Sequence, residues 1–328
     1  MPMISYSQNR EDVLLARVFN DVPFGFYVDV GACDPNHASM TKHFYEHNWT
    51  GINIEPGAVF EKLPPARPRD INLNVAASDV RGTLKFTEFP AGPALGSVNP
   101  TITEPMRAYT AGSYQRTVPA RPLREILAEH ADGKTIDFMS IDVEGHERNV
   151  ILGNDWTRFR PRVLVVEATE PMDRAPTHQR WESLLLQADY LFAYFDGLNR
   201  FYVRKEDTAL LERFAAPANV FDDFTPWEVV VLEKRLKELD ARLNAALVGG
   251  DREKKDVARL TEEAILTERR LADALSKLAE ARSIINKYRA LCQGTRGWAL
   301  AIALWFARRG TTVCNLFRFG REKHPWPI

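Results

Sequence analysis

The sequence predicts an α/β domain built on a mostly parallel sheet, followed by a helical extension with a coiled-coil seam. Three observations carry this. Short β-rich runs alternate with helical stretches up to about residue 204. A late pair of strands turns at Gly197-Leu198-Asn199. From Pro226 onward, apolar residues recur at 4-3 spacing. Alternating strands and helices imply parallel strands covered on both faces, and a long seven-residue repeat implies a coiled-coil seam.

In chain order, Phe26-Tyr27-Val28-Asp29-Val30 reads as a strand ending at Gly31. A helical stretch follows, with Met40, Phe44 and Trp49 near one face. Gly51 to Glu55 is a second strand, stopped by Pro56-Gly57, and Ile71 to Ala76 a third. Thr83 to Phe89 suggests a hairpin strand. Residues 90–117, rich in Pro, Gly, Ser and Thr, read as one long loop, and a loop that long in a compact domain usually has a function. Leu123 to Glu129 is helical, Phe138 to Ile141 a buried strand, and Glu144 to Leu152 a helix. Val163 to Glu167 is a strand and Trp181 to Ala188 a helix. The hairpin of Tyr190 to Phe195 and Phe201 to Arg204 places an antiparallel strand near the sheet edge.

Three domains are expected: residues 1–225, the α/β domain; 226–293, the coiled-coil region; and 294–328, a basic amphipathic tail. Leu232, Leu236, Leu239 and Leu243 begin the heptad register, and Leu260, Ala264, Thr267, Leu271, Ala274 and Leu278 continue it after Gly249-Gly250. The seam needs a partner, in another chain (a homo-oligomer) or folded back at the glycines. Trp298 to Ala307 is apolar between Arg296 and Arg308-Arg309. It is too short to span a bilayer, which needs roughly 20 residues, but suits a peripheral membrane contact or burial in a dimer.

Among the 328 residues, 43 Lys and Arg face 44 Asp and Glu. That balance hides an asymmetry. Residues 1–225 hold 23 basic and 31 acidic side chains; the remainder holds 20 and 13. An acidic first domain disfavours a nucleic-acid partner, because it repels phosphate backbones. Cys33, Cys292 and Cys314 lie too far apart for a disulfide framework or paired-Cys zinc spacing. No secretory signal is visible at the start. A cytoplasmic location follows as the expectation, with the tail at the inner face of the cell membrane.

Asp29-Val30-Gly31-Ala32-Cys33-Asp34 is a strand end opening into a turn where Gly lets the backbone approach a ligand. The second strand ends at Glu55, an acid placed to accept both hydroxyl hydrogens of a ribose. The second and third glycines of a pyrophosphate loop are absent, and Asp34 would repel phosphate. S-adenosylmethionine carries a sulfonium and an ammonium and no phosphate, so Asp29 and Asp34 suit it. Ala77-Ser78-Asp79 lies where such a sheet reaches an adenine, although an Asx turn explains it equally.

Ile141-Asp142-Val143-Glu144-Gly145-His146-Glu147 crowds ionisable groups at a buried strand's end. Asp142 stands nearest the crevice, with helix N-capping as its plain alternative. His146 or Glu144 could take a proton from a hydroxyl; His146 is otherwise a surface residue of the first helical turn. Glu167 ends the next strand and could join Asp142 at a substrate or a divalent cation. No complete metal-ligand pattern is visible, and no metal is expected on that ground.

Ser7-Gln8-Asn9-Arg10-Glu11-Asp12, Val28-Asp29-Val30-Gly31-Ala32, Gly51-Ile52-Asn53-Ile54-Glu55-Pro56, Ile141-Asp142-Val143-Glu144-Gly145 and Val166-Glu167-Ala168-Thr169 resemble the FkbM-type methyltransferases. Phe195 to Tyr202 and Asn219 to Phe224 resemble a bacterial branch. The resemblance covers about residues 3–225. It implies a class I, Rossmann-like methyltransferase fold: seven strands, one of them antiparallel. It implies O-methylation of a hydroxyl by S-adenosyl-L-methionine, often on a sugar or another secondary metabolite. It places Asp29, Gly31 and Glu55 on the cofactor, Asp142 beside the methyl, and Gln8 and Glu11 over the pocket. Pro35-Asn36 departs from the general glycine pattern. The expected activity is methyl transfer to a glycan or small-molecule acceptor. The competing readings are a nicotinamide-dependent oxidoreductase and a non-catalytic coiled-coil scaffold with a vestigial pocket.

Overall fold

The computed structural model describes residues 2–98, 102–248 and 254–292. The chain divides into two compact units, Met1–Trp227 and Glu228–Ile328.

The first unit contains strands β1 (Met3–Ser5), β2 (Phe26–Val30), β3 (Thr50–Ile54), β4 (Ile71–Leu73), β5 (Ala76–Ser78), β6 (Gly82–Glu88), β7 (Tyr114–Pro122), β8 (Phe138–Ile141), β9 (Val163–Glu167), β10 (Tyr190–Phe195), β11 (Asn199–Arg204) and β12 (Phe224–Pro226). Its α-helices are α1 (Glu11–Val18), α2 (Lys42–Glu46), α3 (Leu63–Ala66), α4 (Leu123–His130), α5 (Glu147–Leu152) and α6 (Glu182–Gln187).

Seven strands form the main sheet in the order β10-β11-β9-β8-β2-β3-β4. The pairs from β9 to β4 are parallel; β10–β11 and β11–β9 are antiparallel. The sheet is therefore mixed, and the expectation of a mostly parallel sheet is corrected. The cause is the hairpin. A loop of three residues can only reverse the chain, and β11 inserts between β9 and β10. Asp196 Oδ1 holds that turn by accepting from the backbone N–H of Leu198 at 2.7 Å and Asn199 at 2.6 Å, while Gly197 adopts φ 106°.

Strands β2, β8 and β9 are buried along their whole length, because both faces carry a core. Alternation along each strand sorts the side chains. Val28, Val30, Ile52, Ile54, Met139, Ile141, Leu164 and Val166 pack with Leu123, Ile126 and Leu127 of α4 and with Val150 and Ile151 of α5. Tyr27, Phe138, Val163, Val165 and Phe201 pack on the opposite face with Leu14, Leu15 and Val18 of α1 and with Phe44 and Trp49.

The expected third strand, Ile71 to Ala76, is two strands. β4 ends the main sheet, and β5 joins a separate sheet of order β5-β7-β6. At the break, Asn74 Nδ2 donates to the Glu55 carbonyl at 2.8 Å. The long loop is also shorter than expected. β7 starts at Tyr114 and runs antiparallel to β6. Parallel β1–β12 pairing ties the N-terminal segment to residues 224–226.

In the second unit, α7 (Trp227–Val248) and α8 (Lys254–Cys292) are long helices. Leu236 and Leu239 pack with Leu260 and Ala264, and Arg235 pairs with Glu263. These contacts make the two helices antiparallel neighbours within one chain. They lie on predicted seam positions, and Leu232, Leu271, Ala274 and Leu278 are also less exposed than the residues beside them. Gly249-Gly250 and the tail from residue 293, including Trp298 to Ala307, lie outside the described residues. Among the described residues, no helix is long and apolar enough to cross a membrane.

Candidate active site

Parallel pairing brings the C-terminal ends of β2, β3, β8 and β9 to one edge. Gly31, Glu55, Asp142 and Glu167 follow or end these strands. Backbone bonds lock the junction: Gly31 N–H donates to the Ile54 carbonyl at 2.9 Å and Asp142 N–H to the Val30 carbonyl at 2.9 Å. Gly31 has φ 87°. A Cβ there would stand 1.7 Å from the Asp142 carbonyl oxygen, so only glycine lets these two loops meet.

Glu55 is 6% exposed. Its Oε2 accepts from Cys33 N–H at 3.0 Å and its Oε1 from Gly57 N–H at 2.6 Å. Burial pushes its carboxyl up to about 7, against the pull of those two N–H groups. Beside it is a cavity of about 30 Å³, lined by Val30, Gly31, Glu55, Ala76, Ala77, Phe86, Val98, Val143 and His146. That volume holds two or three waters at roughly 10–15 Å³ each. Phe86 on β6 and Val98 in the long loop close it. Ser97 fastens the loop by donating from Oγ to the Glu144 carbonyl at 2.7 Å.

The other expected cofactor residues are distributed unevenly. Gly31 and Ala77 line the cavity. Ala32 is buried and its N–H donates to the Ile54 carbonyl at 3.2 Å. Ser78 Oγ lies 3.1 Å from His146 Nε2 and donates to Asp79 at 3.1 Å. Asp29 alternates with Val28 and Val30, so it sits on the Tyr27 face of the sheet. There its Oδ2 accepts from Thr41 Oγ1 at 3.0 Å, and burial pushes it up to about 6. Asp34 pairs with Lys62 at 2.8 Å and accepts from Asn36 and His37 N–H, which is an Asx turn. Gln8 is exposed. Glu11 is buried, accepting from Asn199 Nδ2 at 2.7 Å and Asn9 N–H at 2.8 Å. Burial pushes it up to about 7. Asn199 pairs in register with Glu167, so Glu11 lies along the same strand edge.

Of the four candidate proton-handling residues, three converge. Asp142, Glu144 and Glu167 each offer a carboxylate oxygen, all within 4.8 Å of one another. His146 stands apart, at the start of α5 beside Ser78. It is buried, not a surface residue of the helix, and burial holds its pKa below the usual imidazole value, so it is neutral at pH 7. Its Nδ1 has no hydrogen-bond partner among the described residues.

Burial and the neighbouring Asp142 and Glu147 charges push Glu144 up to about 9. Burial pushes Glu147 up to about 7, and burial together with Asp142 raises Glu167 well above the carboxylate range. Asp142 is raised by burial too, and a hydrogen bond with Glu167 opposes that rise. The sequence reading counted Glu147 among the crowded ionisable groups without giving it a role, and it missed Phe86 and Val98. Glu147 Oε1 accepts from Gly145 N–H at 2.9 Å and braces the Asp142–Glu144 turn. Phe86 and Val98 supply the cavity's outer wall. No periodicity or spacing marks Phe86 or Val98.

A seven-stranded α/β sheet with acidic residues gathered at one strand edge has the form of a methyltransferase fold. The methyltransferase FkbM domain matches residues 29–192, half of the chain. The chain belongs to that family, which supports methyltransferase activity. A comparison with curated proteins finds no match.

Proposed function

We propose that this protein is an S-adenosylmethionine-dependent O-methyltransferase acting on a hydroxyl, on a sugar of a bacterial glycan or glycosylated metabolite. The carrying observation is Glu55, buried at a cavity that Val143, the residue between Asp142 and Glu144, also lines. Each Glu55 oxygen accepts one backbone N–H, and a carboxylate oxygen has a second lone pair for a ribose hydroxyl. The residues suit the cofactor in kind. The segment bearing Ser97 and Val98 borders the cavity.

A feature of the turn favours this cofactor over a dinucleotide. After Gly31 the chain runs without an α-helix until Lys42, so no helix N-terminus faces the glycine turn to receive a pyrophosphate.

When bound, S-adenosylmethionine supplies a methyl carbon already activated by its sulfonium. Glu55 would hold the ribose hydroxyls, and Ala77, Phe86 and Val98 would form apolar walls that exclude water from the adenine. At the acceptor end, Glu167 stands beside Asp142, and the hydrogen bond between them opposes the rise that burial gives Asp142. Asp142 then takes the proton that leaves the acceptor hydroxyl. Glu147 fixes the turn that presents both groups. Aligning the hydroxyl and removing its proton is the work left to the protein.

Calorimetry with S-adenosylmethionine and with NAD, followed by transfer of a labelled methyl to a pool of bacterial glycans, tests the reading. Binding of NAD with no binding of S-adenosylmethionine would refute it in favour of an oxidoreductase.

A further inference from the structure

We propose that Asp142, Glu144 and Glu167 form a binding site for a hard divalent cation at the strand edge where β8 and β9 end. Their carboxylate oxygens lie within 4.8 Å of one another. The grouping is built by the sheet: β8 and β9 pair in parallel with Ile141 opposite Val166, so Asp142 and Glu167 leave neighbouring strands at the same level. The order of strands in the sequence suggests the meeting of Asp142 with Glu167, and the structure adds Glu144 to it.

Two further observations point to a ligand. Glu167 is only 6% exposed, yet no N–H or hydroxyl of the described residues reaches its Oε2; Glu144 Oε2 is likewise without a donor. A buried acceptor left unpaired is destabilising, and a charged one more so. Moreover, no Lys or Arg among the described residues is ion-paired with Asp142, Glu144, Glu147 or Glu167. The dominant charges on Glu144 and Glu167 are those of the other carboxylates. Four acids crowd a buried strand edge, and among the described residues no cation balances them.

The donor set names the ion class. Carboxylate oxygens alone select Mg²⁺, Mn²⁺ or Ca²⁺ over softer metals. An ion with bonds of about 2.3–2.6 Å can bridge oxygens at this spacing, whereas Mg²⁺, at about 2.0–2.1 Å, draws them closer. Three protein oxygens leave about half of a six-ligand shell open. Resting on the function proposed above, this narrows the acceptor class: it offers two adjacent oxygens, as vicinal hydroxyls of a sugar do. The cation would acidify the bound hydroxyl, and its proton would pass to solvent or a neighbouring carboxylate as the O–CH₃ bond forms and the S–CH₃ bond breaks.

The alternative occupants are protons shared among the carboxyls, and one experiment separates the two. The full chain is stripped with EDTA, dialysed, and titrated with Mn²⁺ alone, without S-adenosylmethionine, by calorimetry and electron paramagnetic resonance. The expected result is one site per chain, displaced by Mg²⁺ or Ca²⁺, without nitrogen couplings, and weakened at least tenfold in both Glu167→Gln and Glu144→Gln. No site up to millimolar Mn²⁺, nitrogen ligation, or affinity unchanged in both variants would overturn the proposal. The wild-type spectrum decides even if a variant fails to fold. Separate calorimetry with S-adenosylmethionine keeps the two readings apart: cofactor binding without an Mn²⁺ site removes only the cation site, and an Mn²⁺ site without cofactor binding removes only the methyltransferase reading.

Discussion

Replacing Glu55 by Gln should weaken S-adenosylmethionine binding and abolish part of its pH dependence. Alanine is the poorer probe, because it strips acceptors from Cys33 N–H and Gly57 N–H. Two buried donors would be orphaned at about 1–3 kcal/mol each, and the fold would suffer with the site. Glutamine keeps the volume and one acceptor oxygen. What it loses is the charge-assisted character of the ribose contacts, about 1.5–3 kcal/mol, or roughly 10- to 150-fold in Kd. The pH signature is sharper. With the Glu55 carboxyl at about 7 in the free protein, protons compete with the ribose below neutrality. Affinity should fall roughly tenfold from pH 8 to pH 6 through this group alone, since binding draws on the ionised form. Other carboxyls titrate in the same range, so the quantity to read is the difference between wild type and Glu55→Gln across that window. Calorimetry at pH 6, 7 and 8 provides it. Equal affinities at pH 8, or parallel pH slopes in the two proteins, would refute the placement of the ribose on Glu55.

Asp142→Asn should lose most methyl transfer while its melting temperature stays within a few degrees, because the change relieves like-charge crowding; full activity would remove Asp142 from the mechanism. His146→Ala should cost less turnover than Asp142→Asn, since its Nε2 already faces Ser78; the reverse order would move the proton-accepting role to His146. Gly31→Ala should destabilise the chain by at least about 2 kcal/mol in urea, combining a positive φ with a clash on the Asp142 carbonyl; an unchanged midpoint would show that the two loops can separate. Residues 90–98 should exchange amide hydrogens more slowly with cofactor and acceptor bound, and equal protection in both states would contradict a lid. Light scattering of the full chain against a chain ending at residue 225 should show a larger oligomer for the full chain only. Two monomers would mean that the α7–α8 pair satisfies its own seam, and flotation with anionic liposomes tests the basic tail in the same preparations.

Much of the α/β order was legible because burial writes itself into short segments. Phe138 to Ile141 and Val163 to Glu167 are apolar on both faces and could only be central strands. The turn at Gly197 announced the hairpin, and the acidic strand ends Glu55, Asp142 and Glu167 were visible as chemistry misplaced at the end of apolar runs. The split of Ile71 to Ala76 was not legible. Three residues on either side of Asn74 have the same β character, and only the competition between two sheets sends them apart. Asp29 was read as a ligand residue because it adjoins Gly31. Strand alternation turns it to the other face, and Thr41 takes its hydrogen bond.

The sequence by itself determined the kinds of element, the parallel core that aligns four strand ends, and the FkbM resemblance. All of these depend on local pattern or on linked motifs. Only the tertiary structure decided which acids meet. Glu144 and Glu167 are 23 positions apart in the sequence yet share a cluster with Asp142. His146, two residues from Glu144, faces Ser78 instead. The physical reason is that a carboxylate's neighbours, and so its charge state, are set by strand register and burial, and these exist only once the sheet has closed around them.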